Sequence, residues 1–319
     1  MTNSIRRWWT INSENIPIKK LNLDRMSVFY TDRELSLPKA MVDESRLLIA
    51  MWVKVFPREN TWVRIKLEIP SLIIRFDATI NEEGKLQIYE IEERPAGIGI
   101  ARVINNKFKE VFDRTRMTWP EVKVVLSPIR GSFDDHLWTS VIKKNDVRGK
   151  VLVRATREEK EFYFLENMAI SSLKFEGDKT YGEKLGLWKK VYNQEELPWE
   201  KSFVLKPIRG TTSKDIFIFI PKRLRKKFST SGSKKPGHTI SRIISEIDRR
   251  QEGMYCQFFY PPIETGIKDA KDKWKWTILR YFFAYNIIQK SWEYLGGFWN
   301  ARGSLKIHGA SDTLWGPLF

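Results

Sequence analysis

The chain has 319 residues, 42% hydrophobic and 13% aromatic with 13 Trp, which supplies a sizeable core and roughly two lobes and argues against disorder. A single cysteine, Cys256, excludes an internal disulfide framework, and with only three His a structural zinc site is not expected. The net charge of +17 and pI near 9.7 favour polyanionic partners, while the lack of a long apolar run or an apolar N-terminal segment predicts a cytoplasmic protein with no membrane partner.

Residues 1–60 carry mixed patterns, and the stretch DESRLLIAMWVKVF has spacing that suits a helix or a buried strand. Three β-rich runs follow: TWVRIKLEI, SLIIRFDATI and KLQIYEIEE, the last two separated by the turn Asn81-Glu-Glu-Gly84. After the Arg94-Pro95-Ala96-Gly97 break, Ile100, Val103, Ile104, Phe108, Val111 and Phe112 recur at helical spacing. EVKVVLS and KVLVRA read as short strands in the middle of the chain. FVLKPIRGTTSKDIFIFI reads as a hairpin, and PKRLRKKF with STSGSKKPG as a basic cluster and loop. HTISRIISEIDRRQEG reads as an amphipathic helix capped by Thr239 or Ser241 and ended at Gly253. MYCQFFYPP, KWTILRYFFAYN and SWEYLGGFWNARGSLKIHG read as further strands. The expected fold class is α+β, with antiparallel sheets and flanking helices. Three regions are expected: 1–118 with the acidic hairpin, a middle region 119–198, and 199–319.

Chemistry concentrates in two places. Side chains alternate along a strand, so Arg75 and Asp77 share a face, as do Glu90 and Glu92. An even-length loop across Asn81–Gly84 would bring both pairs onto one patch, with Asp77 beside Glu90. Opposed like charges are unfavourable, so the patch calls for a cation, and Mg²⁺ takes such oxygen ligands. An exposed hairpin with ordinary charges is the plainer alternative. Later, Lys206 sits on a strand that enters the turn Arg209-Gly210-Thr211-Thr212-Ser213-Lys214, whose amides, hydroxyls and cations suit a phosphate. That turn does not match the G-x-x-x-x-G-K pattern.

Together these segments resemble the ATP-grasp ligases of the glutathionylspermidine synthase type. The resemblance rests on Arg75-Phe76-Asp77, Glu90-Ile91-Glu92 and Arg94-Pro95, then on Phe203-Val204-Leu205-Lys206-Pro207 with Gly210, Tyr255-Cys256-Gln257-Phe258-Phe259, and Gly296-Gly297 through Arg302, His308 and Asp312. It covers about residues 75–105 and 199–319. It implies an ATP-grasp fold with a nucleotide cleft between lobes, and an ADP-forming carboxylate–amine ligase that works through an acylphosphate. It further implies Mg²⁺ on Asp77, Glu90 and Glu92. ATP would contact Lys206, Arg209, Gly210, Thr211, Lys214, Gln257, Phe258 and Phe259, with catalytic roles for Arg75 and Arg302, or Arg280 as the second anion contact. The substrates would be a small-molecule or peptide carboxylate and an amine. Glu92 stands where the family has Asn, and Thr211-Thr212-Ser213 replaces a Gly-containing lid. A nucleic-acid-binding protein using Lys222–Lys227, Lys234 and Lys235 is the alternative, as is a ligase acting on a nucleic acid or other polyanion.

Overall fold

The computed structural model describes residues 16–23, 26–55, 72–81, 84–92, 95, 97–119, 187–207, 216–228, 237–264, 274–305 and 313–319. The TWVRIKLEI run, the strands expected in the middle region, the Arg209–Lys214 turn, Lys234, Lys235, His308 and Asp312 lie outside them. In chain order the elements are β1 (Lys19–Leu23), β2 (Met26–Tyr30), α1 (Lys39–Val55), β3 (Ile73–Ile80), β4 (Leu86–Glu92), α2 (Ile98–Ile104), α3 (Asn106–Arg116), β5 (Leu187–Val191), β6 (Phe203–Pro207), β7 (Phe217–Phe219), α4 (Lys222–Phe228), α5 (Ile240–Arg249), β8 (Met254–Phe258), β9 (Ile263–Glu264), β10 (Trp276–Asn286), β11 (Ser291–Arg302) and β12 (Leu314–Leu318). The class is mixed α+β, as expected.

The described residues form two sheets. The larger runs β1-β2-β12-β11-β10-β3-β4, with β9 added beside β10; its strand pairs are antiparallel except β12–β2, and Leu35 adds a parallel bridge to Leu318. The smaller is antiparallel in the order β5-β8-β6-β7. Strands from both ends of the chain thus meet in one sheet, with β10 and β11 at its centre.

Alternation sorts the larger sheet into two buried faces. Ile74, Phe76, Ala78, Leu279, Tyr281, Phe283 and Trp299 form one, beneath Val42, Leu48 and Ile49 of α1. On the other, Ile73, Phe282, Phe298 and Trp315 pack with Ile98, Ala101, Phe108 and Phe112 of α2 and α3. Further along that second face, Trp276 and Ile278 meet Val204 and Ile218 of the smaller sheet and Ile220 just after β7, which joins the two sheets. The opposite side of the smaller sheet buries Phe203, Leu205, Phe217 and Cys256 under Ile243 and Ile247 of α5. Thr239 is the cap of α5, its Oγ1 accepting from the Arg242 N–H.

The helical spacing between Ile98 and Arg116 resolves into two helices that break at Asn105, where φ is −131°. The Asn105 carboxamide explains the break. Its oxygen caps α3 by accepting from Phe108 N–H, while Nδ2 donates to Gly297 O at 2.7 Å and Leu318 O at 2.9 Å. One side chain therefore ends a helix and ties it to β11 and β12. Gly297 is required at this point: a Cβ would lie 2.1 Å from Arg280 O on the neighbouring strand.

A charged cluster between the two sheets

The β3–β4 hairpin reaches the expected register by an unexpected route. Ile80 pairs with Leu86, so the connection holds five residues, an odd number. Asn81 N–H donates to Lys85 O, Gly84 N–H donates to Asn81 O, and Gly84 takes φ 79°. An odd loop alone would put Glu90 and Glu92 on the wrong face. A bulge corrects this: Ala78 pairs with Ile88 but Asp77 with Glu90, leaving Tyr89 as the extra residue. Ile88 and Ile91 then both face the apolar core, and Asp77–Glu90 and Arg75–Glu92 become directly opposed pairs.

Ligand oxygens of Asp77, Glu90 and Glu92 all lie within 4.8 Å of one another. The patch is not a bare acidic site. Arg75 Nε donates to Asp77 Oδ1 at 2.7 Å, and Arg75 Nη2 to Glu92 Oε1 at 2.6 Å and to Asp77 Oδ2 at 3.2 Å. Arg280, paired with Asp77 across β10 and β3, brings Nε to 3.1 Å from Asp77 Oδ2, a charge contact and not an aligned hydrogen bond. Lys206 is the third cation, close enough for its charge to be felt by Glu90 and Asp77. Among the described residues three cations thus face three carboxylates, so part of the neutralisation assigned to a metal from the sequence is supplied by the protein itself.

Burial and charge act against each other here. Arg75 loses solvation, yet Asp77 and Glu92 more than compensate, and its pKa is raised. For Glu92, burial leads: it pushes the carboxyl up to about 7, with Glu90 and Asp77 adding to the rise and Arg75 opposing it. Burial lowers Lys206 and Arg280, opposed at Lys206 by Glu90 and at Arg280 chiefly by Asp77.

The smaller sheet supplies the opposite wall. On β6 and β8, Phe203, Leu205, Met254 and Cys256 face the α5 core, so Val204, Lys206, Tyr255 and Gln257 face the larger sheet. Lys206 Nζ donates to Tyr89 O at 2.8 Å and Gln257 Nε2 to Ile88 O at 3.2 Å. Both reach the bulged segment of β4, which lies at the end of the larger sheet's strand order. Tyr89 also donates its hydroxyl to Tyr260 O at 2.6 Å, so the segment after β8 is tied to the same strand. Phe258 is half-buried beneath Lys201, whose ammonium lies 4.8 Å from the ring centroid, and Phe259 belongs to the core between the sheets.

The structure therefore brings together Arg75, Asp77, Glu90, Glu92, Lys206 and Gln257, with Phe258 and Phe259 at the end of β8. Arg302 lies on the second face of β11, opposite Trp276 and one strand beyond Arg280. Arg209, Gly210, Thr211 and Lys214 lie outside the described residues. Tyr89 was missed from the sequence, although the three-residue spacing of Ile88 and Ile91 was a readable sign of a bulge. Three oxygen donors suit a hard divalent cation, and a buried cationic cluster beside them suits phosphate. No family model matches the chain, and no curated protein matches it.

Proposed function

We propose that the chain is an ATP- and Mg²⁺-dependent carboxylate–amine ligase of the ATP-grasp type. The observation that carries this reading is the facing of Asp77, Glu90 and Glu92 on one sheet by Lys206 on the other, with Gln257 beside it. The adenine enters between the sheets near Gln257, Phe258 and Phe259. Lys206 and Gln257 then exchange their bonds to Tyr89 O and Ile88 O for bonds to the nucleotide. Asp77, Glu90 and Glu92 would hold Mg²⁺, which would supply charge neutralisation for phosphoryl transfer. Arg75 and Arg280 orient Asp77 and Glu92 and add positive charge to the site, and Arg302 contributes a further cation on the same face.

The reaction needs no protein nucleophile. A carboxylate oxygen of the substrate attacks the γ-phosphorus, and the bond to the bridging oxygen breaks with its electron pair leaving on ADP. The amine nitrogen then attacks the acyl carbon, phosphate departs, and the amine proton passes to solvent. Glu90→Gln is the cleanest test. Asp77 and Glu92 are hydrogen-bonded to Arg75, so changing either one also disturbs an ion pair. Glu90→Gln is expected to retain the melting transition and lose Mg²⁺-dependent ADP formation in the presence of pooled amino acids, polyamines and peptides. Undiminished ADP formation would sink the reading.

Charge distribution favours a second reading. Residues 203–253 contain 13 Lys and Arg against Asp215, Glu246, Asp248 and Glu252. A basic lobe of this kind suits a nucleic acid, as partner or as substrate. Binding that weakens steeply with salt and ignores ATP supports a binding protein. ATP turnover stimulated by RNA supports a ligase acting on a polyanion.

A further inference from the structure

The face that carries Arg75, Asp77 and Arg280 continues across β11 and β12. Trp299 and Ala301 point into the α1 core, so Asn300 lies on the opposite face with Phe298. Asn300 pairs with Ile278 on β10, one pleat from Arg280, and with Trp315 on β12. Asn300 is completely buried, and Trp315 is 4% exposed. Among the described residues, neither amide atom of Asn300 has a hydrogen-bond partner, nor does the indole Nε1 of Trp315. Two adjacent residues on neighbouring strands therefore present two kinds of donor and one acceptor, all unused, beside the charged cluster. Buried polar groups are normally satisfied, and a pair left open next to a reactive site calls for a ligand that completes it.

We propose that Asn300 and Trp315 form the subsite for the amino-carboxylate end of an amino acid or peptide substrate. The chemistry follows from the open atoms. A carboxylate accepts from Nδ2–H of Asn300 and Nε1–H of Trp315, and an ammonium donates to Oδ1 of Asn300. Arg280 on the next strand favours the anionic half. A purely apolar ligand would leave all three atoms unpaired, and a phosphate would leave Oδ1 without a donor. The proposal rests on the ligase reading for its place in a reaction, but its binding chemistry stands on these two side chains.

The test uses ¹⁵N-labelled full chain. The Trp315 indole and Asn300 carboxamide signals are assigned by their loss in Trp315→Phe and Asn300→Leu. Glycine, L-glutamate, acetate and ethylammonium are then titrated without nucleotide. Glycine or glutamate is expected to shift both signals saturably, and acetate or ethylammonium alone to shift them more weakly. Asn300→Leu is expected to lose this response and any acceptor-dependent ADP formation, with ATP affinity unchanged. If Asn300→Leu fails to fold, Asn300→Asp keeps the shape and is expected to repel the carboxylate. Signals that no probe moves, or acceptor-dependent turnover that survives Asn300→Leu, would overturn the subsite. Amino-carboxylate binding without ATP turnover keeps the subsite and removes the ligase reading; ATP turnover with unmoved signals does the reverse.

Discussion

Strands β3 and β10 present two buried faces made from alternate residues of the same segments. Phe76, Tyr281 and Phe283 fill one face, with Phe76 and Tyr281 stacked at 5.2 Å and an angle of 5°. Arg75, Asp77 and Arg280 form a charged patch on the other, between apolar stretches that hold Ile73 and Phe282 on one side and Trp276 and Ile278 on the other. Phe76 is fully buried, and Arg75 and Asp77 are 3% and 4% exposed, so the patch and the aromatic residues behind it differ little in burial and almost wholly in chemistry. The apolar face gains from leaving water. For the charged face, desolvation offsets much of the pairing energy, so its retention is poorly explained by stability. That difference points to the charged face as the working surface.

The largest effects test whether the two faces separate stability from function. Phe76→Ala removes a stacked, fully buried ring and is expected to cost about 3–5 kcal/mol in urea unfolding. The folded fraction should bind nucleotide as before. Asp77→Ala leaves Arg75 and Arg280 without their shared carboxylate and is expected to cost a similar amount, about 3–5 kcal/mol, and to abolish nucleotide-dependent activity as well. The sharper experiment replaces the four ion-paired members together, with Arg75→Met, Asp77→Leu, Glu92→Met and Arg280→Leu, and leaves Glu90 opposite Lys206. If the cluster is kept for function, this variant should recover wild-type stability to within about 1 kcal/mol or exceed it, and remain inactive. A large loss of stability in the concerted variant would make the cluster a structural ion network.

Asn105→Ala should have a smaller effect, about 1–3 kcal/mol, because it removes a helix cap and two buried bonds to Gly297 and Leu318. It lies behind the apolar part of the second face, so Mg²⁺-dependent activity at low temperature should persist. Loss of activity without loss of stability would mean that α2 and α3 position the cluster as well as cover it.

The same contrast explains what was legible in the sequence. Period-two alternation is local, so the pairing of Arg75 with Asp77 and of Glu90 with Glu92 on one face could be read directly. The partners of those residues could not. Arg280 reaches Asp77 only because β10 lies beside β3, and Lys206 only because a second sheet packs across the cleft. The bulge is hidden from a regular hairpin pattern; its trace is the shift from Leu86 and Ile88 to Ile91 as core residues. β12, with the sequence Leu-Trp-Gly-Pro-Leu, is not among the expected strands, because its Gly and Pro weaken any strand signal. It is a strand because β2 and β11 flank it, and Gly316 lets Trp299 lie against its backbone, where a Cβ would come within 2.2 Å of the indole.

The subtlest test concerns Glu92, the residue at which burial outweighs pairing. Its folded pKa of about 7 lies above the ordinary 4.5, so the folded protein holds this proton more tightly than the unfolded chain. The resulting stability is fully present below about 4.5 and is lost as pH rises through about 7. Glu92→Gln mimics the protonated form and should flatten that part of the melting-temperature profile. Mg²⁺ competes with the same proton. In the wild type, added Mg²⁺ should therefore raise the melting temperature more at pH 8 than at pH 5, and in Glu92→Gln the difference between the two should shrink. An equal Mg²⁺ effect at both pH values would separate Glu92 from the metal and leave it as the carboxyl partner of Arg75 alone.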